Sequence, residues 1–406
     1  MRLLAIVLPA LVVALTACGR AEDQAADTGS TTLTVYAALP FQGPGGPDAE
    51  AVANGARLAL RDAGGTVGDL VVKLAVLDDS TPAAGRWTPE QAAENARIAV
   101  RDRTAIAFLG GGPSGATAIS LPILNSAGVL QVSPTSGYVG LTGTQDAEKG
   151  EPDKYYPSGV RTFARPIAGD DVQARALLAA LQQRDCRRLR VLDDRDVANR
   201  GLATAVTRLA TAAGMEVVGR DALRTEDVDP VDEARKTVAG APDCVMVAAG
   251  IDGWAPQLFD ALHAEDPALE LFGGDGLAIP SFAAALRPGT QASTHLVGPV
   301  GITEPVPAVR AFARRYEAAF GLPARSGALY GHEAMRLVLA AIERAGATGD
   351  NRAAVTRALF ALGERRSPMG MYRIERSGNA TTTAYSHFSP RRGRLGPPRT
   401  AEHPPA

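Results

Sequence analysis

The sequence predicts an α/β protein made of two Rossmann-like lobes, each with a parallel sheet between layers of helices. Short apolar strands alternate with amphipathic helices along most of the chain, which is typical of parallel sheets. The same four-strand layout occurs twice in series. At 406 residues, the chain is also longer than one hydrophobic core usually requires. Together these observations favour two similar lobes over one continuous sheet.

The first series of elements follows from the spacing of apolar residues. A strand at Leu33–Leu39 precedes a helix that we expect Asp48 to cap and Gly64-Gly65 to end. The next predicted elements are a strand at Leu70–Leu77, a helix at Pro89–Arg101, a strand at Ala105–Gly110, a helix at Ser114–Ser126 and a strand at Val129–Ser133. A polar stretch between Gly140 and Gly159 then interrupts the alternation.

The second series begins with a helix and ends in a tail of different composition. Its predicted elements are a helix at Asp170–Arg184, strands at Leu189–Leu192, Met215–Val218, Cys244–Ala249, Leu269–Gly273 and Thr294–Pro299, and helices at Pro307–Phe320, Ser326–Ala345 and Arg352–Leu362. We expect Met371–Glu375 and Ala384–Phe388 to form an antiparallel pair. From Pro390 onward Arg, Pro and Gly dominate, so residues 391–406 are predicted to be disordered.

Composition excludes several classes of protein. Apolar residues make up 46% and charged residues 21%, unlike a disordered chain or a polytopic membrane protein. The net charge of −2 gives no electrostatic reason to expect a nucleic-acid partner. Five scattered histidines and three cysteines have no zinc-ligand spacing. We therefore expect neither a metal nor a cofactor.

The N-terminus has the pattern of an export signal. Arg2 precedes an apolar run, Leu3 to Ala17, whose helical length of about 22 Å is short of a ~30 Å hydrocarbon core. Residues 1–17 are therefore predicted to be a signal peptide. The run ends in Leu-Thr-Ala-Cys18, which resembles a bacterial lipobox, so Cys18 is the predicted lipidation site. An ordinary signal peptide with a chance cysteine is the alternative.

This pattern predicts a location and a redox state. Residues 18–31 would form a flexible tether that holds the body at the extracytoplasmic face of the cell membrane. Outside the cytosol, Cys186 and Cys244 are predicted to form a disulfide, because they lie at matching ends of two strands that should be neighbours. One buried and one exposed thiol is the alternative.

Candidate ligand-binding residues follow the strands, where open parallel sheets bind ligands. Ser114 opens a helix after Gly110-Gly111-Gly112-Pro113, so its hydroxyl and the free N–H groups could hold an anion. Ser133 to Tyr138 offers further hydroxyl and backbone groups after the next strand. Asp275, in a glycine-rich turn of the second half, suits an amine. A helix cap, a polar turn and a turn aspartate are the respective structural alternatives.

The order of motifs along the chain is more specific than any one of them. They are the signal and lipobox, Gly55-Ala56, Leu77-Asp78-Asp79-Ser80-Thr81-Pro82, Gly110-Gly111-Gly112-Pro113-Ser114, Val129 to Pro134, Arg165-Pro166 with Asp170 and Gln173, Gly201-Leu202-Ala203, Gly274-Asp275-Gly276 and Met369-Gly370. From about residue 32 to 390 this order resembles type I periplasmic binding proteins, in particular the branched-chain amino-acid-binding branch.

The resemblance implies a site for an amino acid between two lobes. In that family, residues after the third and fourth strands of the first lobe hold the carboxylate and ammonium groups, and an acidic residue of the second lobe completes the ammonium site. These roles fall on Ser114, on Thr135 and Gly137, and on Asp275. Ser136 could replace the threonine usual at position 137, and Tyr138 completes the predicted ligand-binding set.

Two departures affect the side-chain pocket. An aromatic residue usual in the family falls near Ala198 or Asn199, and another falls near His332, with Tyr330 close by. The head-group site is therefore better supported than a leucine-like side-chain pocket. The predicted lobes are 32–165 with 299–368, and 166–298 with 369–390, joined by a three-crossing hinge.

The sequence thus predicts a lipid-anchored solute-binding protein, not an enzyme. It would capture a small polar, amino-acid-like ligand and deliver it to ABC permease subunits. A ligand sensor without transport is one alternative. A serine hydrolase using Ser114 is another, since Gly112-Pro113-Ser114-Gly115-Ala116 nearly matches a nucleophile elbow. A dinucleotide-binding enzyme is disfavoured, because Asp48 stands where the glycine motif from Gly43 needs its last glycine.

Overall fold

A computed structural model gives the architecture of most of the chain. The predicted signal peptide and Cys18 lie outside the described residues. Within the described part, no helix combines the length and the apolar character that crossing a membrane requires. The described residues are 28–224, 228–250, 254–299, 301, 306–383 and 385–400.

The strands are short, and most lie where apolar runs predicted them. In chain order they are β1 (Thr32–Leu39), β2 (Thr66–Val67), β3 (Leu70–Asp78), β4 (Ser80–Thr81), β5 (Arg86–Trp87), β6 (Ala105–Gly110), β7 (Leu130–Val132), β8 (Phe163–Ala164), β9 (Arg188–Asp193), β10 (Glu216–Ala222), β11 (Cys244–Ala248), β12 (Glu270–Gly273), β13 (Thr294–Pro299), β14 (Arg365–Ser367), β15 (Gly370–Tyr372), β16 (Tyr385–Phe388), β17 (Pro390–Arg391), β18 (Arg394–Leu395) and β19 (Arg399–Thr400).

The helices alternate with these strands as predicted. They are α1 (Gly46–Asp62), α2 (Pro89–Arg101), α3 (Ser114–Ser126), α4 (Asp170–Gln183), α5 (Val197–Ala212), α6 (Pro230–Val238), α7 (Trp254–Glu265), α8 (Pro280–Ala285), α9 (Pro288–Ala292), α10 (Pro307–Phe320), α11 (Ser326–Ala345) and α12 (Arg352–Phe360). Short 3-10 turns occur at Val139–Leu141, Asp153–Tyr155 and Gly346–Thr348.

Two large sheets confirm the predicted fold class. The first has the order β2-β3-β1-β6-β7-β8, with all pairs parallel except the β2–β3 hairpin. The second has the order β10-β9-β11-β12-β13-β16-β19, parallel up to β13 and antiparallel beyond it. We call the first sheet with its helices the first half of the molecule, and the second sheet with its helices the second half.

Helices cover both faces of the first sheet. Leu33, Val35 and Ile106 face α11, which buries Met335 and Val338 against them. Tyr36 and Ala38 face the opposite side, with α2 and α3. The pairing of α1 with α11 also depends on glycine, because a Cβ at Gly55 would lie 1.9 Å from the carbonyl oxygen of Ala328. The close approach of the two helices therefore excludes a side chain there.

The predicted disulfide is confirmed. Cys186 and Cys244 are bonded to each other, with 5.9 Å between their Cα atoms. As expected, β9 and β11 are parallel neighbours, and Cys244 pairs with Leu189. The two sulfurs lie near the amino ends of their strands, at the end of the sheet opposite the carboxyl ends of β9 and β11. Among the described residues, the grouping that could hold a metal is Cys186, Asp243 and Cys244, but its sulfurs are joined in the disulfide.

The C-terminal region differs from the prediction. Met371–Glu375 and Ala384–Phe388 do not pair with each other: β15 pairs with β14, while β16 joins β13 in the second sheet. β16 pairs with Leu296–Pro299 of β13 and so extends the second sheet beyond its parallel strands. Residues 390–400 are not disordered either, since β17 and β18 form a hairpin and β19 pairs with β16. Residues 401–406 lie outside the described chain.

Two boundaries near the N-terminus also shift. Asp48 does not cap α1, which starts two residues earlier at Gly46, so Asp48 lies in its first turn and pairs with Arg325 at 3.4 Å. The predicted tether does not extend to residue 31 as a free segment. Thr28 is buried, and its N–H donates to the carbonyl oxygen of Asp350, which fixes the chain before β1 begins.

A candidate ligand-binding cleft

A cleft of about 1430 Å³ lies where the carboxyl ends of the two sheets face each other. This is the edge at which parallel α/β sheets bind ligands. Four of the predicted site residues line it: Ser114, Thr135, Gly137 and Asp275. The structure therefore brings together residues that are up to 161 positions apart in the sequence, from Ser114 to Asp275.

Ser114 lies at the first residue of α3, directly after β6. Its N-cap is Pro113 in an extended conformation, so Ser114 does not cap the helix as one alternative proposed. Its Oγ accepts a hydrogen bond from the N–H of Tyr138 at 3.2 Å. Because this bond uses only the oxygen, Ser114 can still donate its hydroxyl hydrogen to a ligand. The first N–H groups of α3 add further donors for an anion.

The segment after β7 splits into cleft and core residues. Thr135 lines the cleft and donates its hydroxyl hydrogen to the carbonyl oxygen of Gly112 at 2.6 Å, so its oxygen is left as an acceptor. Ser136 is fully buried, and its Oγ donates to Gly111 at 2.8 Å. Tyr138 points away from the cleft and donates to Glu151 at 2.5 Å. The side chains of Ser136 and Tyr138 therefore do not line the site as predicted, because internal acceptors engage them.

Asp275 follows β12 in the second half of the molecule. Its Oδ1 accepts from the N–H of Gly276 at 3.0 Å, and its own N–H donates to Oε1 of Gln173 at 3.2 Å. A Cβ at Gly276 would lie 2.3 Å from the carbonyl oxygen of Ala249, so only glycine fits beside this aspartate. Burial raises the pKa of the Asp275 carboxyl above its ordinary value.

Asp170 is a second carboxylate in the cleft, and the sequence analysis did not assign it a role. It is the first residue of α4, and Gln173 links it to Asp275: Nε2 of Gln173 lies 3.5 Å from Oδ1 of Asp170. Burial and the charge of Asp275 raise the pKa of Asp170 well above its ordinary value. The Arg165-Pro166 motif had marked this region, but the motif alone could not show that Asp170 faces Asp275.

Asp170 also explains the glycine at position 137. A Cβ at Gly137 would lie 2.0 Å from Oδ1 of Asp170, and the N–H of Asp170 donates to the carbonyl oxygen of Gly137 at 2.8 Å. The threonine that the resemblance implies at this position would bring its Cβ into the space of the carboxylate. Glycine at position 137 therefore leaves room for the Asp170 side chain.

Arg165 supports this acidic region from the interior. Its side chain is fully buried, and its charge acts favourably on Asp170 and Asp171. It donates to the carbonyl oxygens of Ser136 and Tyr138, to Oγ1 of Thr142 and to Oδ1 of Asn379. Because all of these bonds use the guanidinium in the core, Arg165 orders the cleft wall without entering the cleft.

A third carboxylate lies at the start of α5. Asp194 accepts from the N–H of Gly250 at 2.8 Å and from the Asn199 amide, and burial raises its pKa to about 6. Asp196 caps α5 by accepting from the N–H of Ala198 at 3.0 Å. These aspartates line the same cleft. Four of the carboxyl groups that line the cleft, those of Asp170, Asp194, Asp196 and Asp275, therefore come from the second half.

The expected aromatic walls are only partly present. Ala198 lines the cleft and leaves space where the resemblance implies a ring. Tyr330 also lines it, and its hydroxyl donates to the carbonyl oxygen of Pro299 at 3.3 Å. His332 is buried beside Asp62, away from the cleft. Trp87, which the sequence analysis did not consider, supplies a ring from the first half.

The geometry does not support a serine hydrolase. None of the described histidines is among the residues that line the cleft around Ser114. His295 instead bonds Glu270 at 2.6 Å on another part of the second sheet, and His332 lies near Asp62. A nucleophilic serine needs a base within hydrogen-bond reach. Within the described part of the chain, no histidine is placed to act as that base for Ser114.

Known proteins show the same fold over nearly the whole chain. The family profile described as periplasmic binding protein matches residues 32–390. The Leu/Ile/Val-binding protein BraC3 of Rhizobium johnstonii is 28% identical, over 89% of this chain and 93% of its own length.

Solved structures agree on the architecture. The leucine-binding protein LivK of Thermotoga maritima superimposes with a TM-score of 0.77 at 19% identity, over 91% of this chain and 99% of its own. A solute-binding protein of an ABC transporter from R. palustris, in complex with benzoate, superimposes with a TM-score of 0.76 at 20% identity, over 92% and 98%. The two lobes and their facing sheets are therefore those of a type I periplasmic binding protein.

Proposed function

This chain belongs to the periplasmic binding protein family, and from that premise we propose that it captures an amino acid or a close relative for an ABC transporter. One observation carries the proposal. Hydroxyl and N–H donors at the start of α3 face the carboxylates of Asp170 and Asp275 across one cleft. A ligand with a carboxylate at one end and an ammonium at the other complements both sides.

The donor side suits the ligand carboxylate. Ser114 would donate its hydroxyl hydrogen, and the free N–H groups of α3 would add to it. Thr135, whose oxygen accepts, would instead meet the ammonium together with Asp275. Asp170 would hold the opposite face of the same ammonium. A ligand that touches both halves has the differential affinity that closure of the cleft requires.

Movement between the halves is part of the proposal. The sequence predicts lobes of 32–165 with 299–368, and 166–298 with 369–390. The last boundary shifts, because Tyr372, Ile374 and Ala380 pack in the core of the first half. The chain passes between the sheets after β8 and again after β13, where we place two of the three hinge crossings. We place the third after Ala380 and before β16, which joins the second sheet.

A matched set of ligands tests the assignment. Calorimetry should detect L-leucine but not isocaproate, which lacks the amine, nor isoamylamine, which lacks the carboxylate. Benzoate, the ligand of one structural relative, serves as the comparison for a carboxylate without an amine. Equal affinity for leucine and isocaproate would show that Asp170 and Asp275 do not hold an ammonium group. Turnover of leucine would contradict a binding function.

We also propose that the mature protein is lipid-anchored at Cys18 on the extracytoplasmic face of the membrane. The support is the short apolar run that ends in Leu15-Thr16-Ala17-Cys18. Cys18→Ser should release the protein into the soluble fraction or leave it unprocessed. Mass spectrometry of the mature N-terminus provides the check: an unmodified Cys18 in a membrane-bound mature protein would refute the anchor.

A further inference from the structure

A short hairpin brings Trp87 to the cleft. The hairpin pairs β4 with β5, and Trp87 lies opposite Ser80. Its base is fixed from the core, because buried Asp79 accepts from the amide of Asn95 at 2.8 Å and its carbonyl oxygen accepts from the N–H of Thr88 at 2.9 Å. Trp87 is half-buried and lines the cleft. The backbone that carries Trp87 is therefore anchored to the core of the first half.

The Trp87 ring touches the start of α3. A Cβ at Gly115 would lie 2.5 Å from Cζ2 of Trp87 and 3.1 Å from Oδ2 of Asp196. Only glycine leaves room at this point. Since Asp196 belongs to the second half, the two halves already meet here.

The cleft exceeds the needs of a ligand as small as leucine. Its volume of about 1430 Å³ is above the roughly 300–1,000 Å³ typical of sites for drug-sized molecules. Near Trp87 its wall is apolar and consists of small or aliphatic side chains from α3 and α5. These are Ala118, Ile119, Val197 and Ala198. A ring from one side and small side chains from the other leave space for a flat apolar group.

We propose that Trp87 is a specificity-determining residue against which an aromatic or other bulky apolar side chain of the ligand packs. The cleft would then prefer an aromatic amino acid to one of leucine size. This inference rests on the proposed function, because the amino-acid head group must be held by Ser114, Asp170 and Asp275 for its side chain to reach the ring. Ring-to-ring packing adds affinity beyond the apolar area it buries.

Calorimetry with L-alanine, L-leucine and L-phenylalanine tests the proposal. Phenylalanine should bind at least about tenfold more tightly than leucine. Trp87→Ala should weaken phenylalanine about tenfold and alanine less than twofold, while the conservative Trp87→Phe retains most of the affinity for phenylalanine. A uniform loss for all three amino acids would assign Trp87 a structural role only and overturn the proposal.

A second measurement leaves Trp87 in place. The chain has two tryptophans, so Trp254→Phe leaves Trp87 as the single tryptophan, whose emission can be excited selectively. Phenylalanine should shift its emission more than alanine does at saturation. Equal shifts, or tighter binding of leucine than of phenylalanine, would overturn the proposal while leaving amino-acid capture intact. If none of the three amino acids binds the folded protein, the proposed function fails and this inference fails with it.

Discussion

The two sides of the cleft occupy equivalent places in two similar sheets, yet they have opposite chemistry. In the first half, the turn after β6 opens α3 and presents N–H groups and the Ser114 hydroxyl. In the second half, the turn after β12 presents Asp275, and Asp170 joins it from the start of α4. The comparison teaches that the fold supplies two equivalent edges, while a few residues after each strand decide which ligand group each edge can hold.

Removing a charge from the acidic side of the cleft should have the largest effect on ligand affinity. Losing one charged partner in a desolvated site costs ~2–5 kcal/mol, so Asp275→Asn should weaken leucine or phenylalanine at least ~30-fold. Asp48→Asn is the matched control, because Asp48 also lines the cleft but is paired with Arg325. Calorimetry on both variants measures the two affinities. An affinity within about twofold of wild type for Asp275→Asn would make Asp275 a turn residue only.

The acidic side should also couple binding to pH. Burial raises the pKa of both Asp170 and Asp275, so the free cleft binds a proton at pH values above the ordinary carboxyl range. An ammonium ligand favours the ionised carboxylates and displaces that proton. Affinity for leucine should therefore rise as pH increases through this range. Calorimetry in buffers of different ionisation enthalpy measures the released proton.

The variant Asp170→Asn separates this coupling from other pH effects. It replaces the carboxyl whose pKa is raised most strongly and should reduce the proton release on binding. The same linkage predicts that the unliganded wild-type protein loses stability as pH rises through the raised pKa values, because the folded state holds the proton more tightly than the unfolded state. Proton release unchanged in Asp170→Asn would mean that the pair does not share the ligand ammonium.

The donor side of the cleft should contribute less to the binding free energy than the acidic side. Ser114→Ala removes one hydroxyl and should cost about 1–2 kcal/mol of binding free energy for a ligand with a carboxylate. Thr135→Val is the informative comparison, since the Thr135 hydroxyl hydrogen already bonds the carbonyl oxygen of Gly112. The ligand then loses only an acceptor, while Gly112 loses its donor. A loss on Ser114→Ala as large as that on Asp275→Asn would reverse our ranking of the two sides.

The smallest effect should come from ion pairs that join the halves outside the cleft. Arg208 of α5 donates to Asp146 through Nε at 2.8 Å and Nη2 at 2.7 Å, and Arg200 pairs with Glu148. The arginines are partly exposed, so each pair should contribute ~0.2–1 kcal/mol at low salt. Asp146→Asn should weaken ligand binding less than about fivefold in dilute buffer and not at high salt. The charge swap Asp146→Arg with Arg208→Asp should restore part of the loss.

Local patterns were sufficient for most helices and strands and for the disulfide. The bounds of α2, α3, β6 and β13 agree with the apolar periodicity, because each segment buries one continuous stripe or run. The prediction that the tail is disordered is wrong for residues 391–400. Their Arg, Pro and Gly composition gives no information about the free edge of β16, with which β19 pairs. Strand partners that lie far apart in sequence leave no local signal.

The sequence predicts which residues lie near the cleft, but it does not predict the directions of their side chains. Ser114, Thr135, Gly137 and Asp275 line the cleft because residues after parallel strands meet at one edge. Ser136 follows the same strand, yet its hydroxyl turns inward to Gly111. Asp170 lies after no central strand and comes to the cleft only through the chain crossing between the sheets. Such placement depends on tertiary geometry that spacing along the chain does not encode.

Late segments of the chain complete both sides of the cleft. The strand β16 lies between β13 and β19, and its Tyr385 hydroxyl lies 3.3 Å from Nε2 of Gln173, the residue that links Asp170 with Asp275. The first sheet likewise depends on α11, which covers one of its faces with Met335 and Val338. During synthesis, neither the donor side nor the acidic side can acquire its final support until most of the chain has emerged.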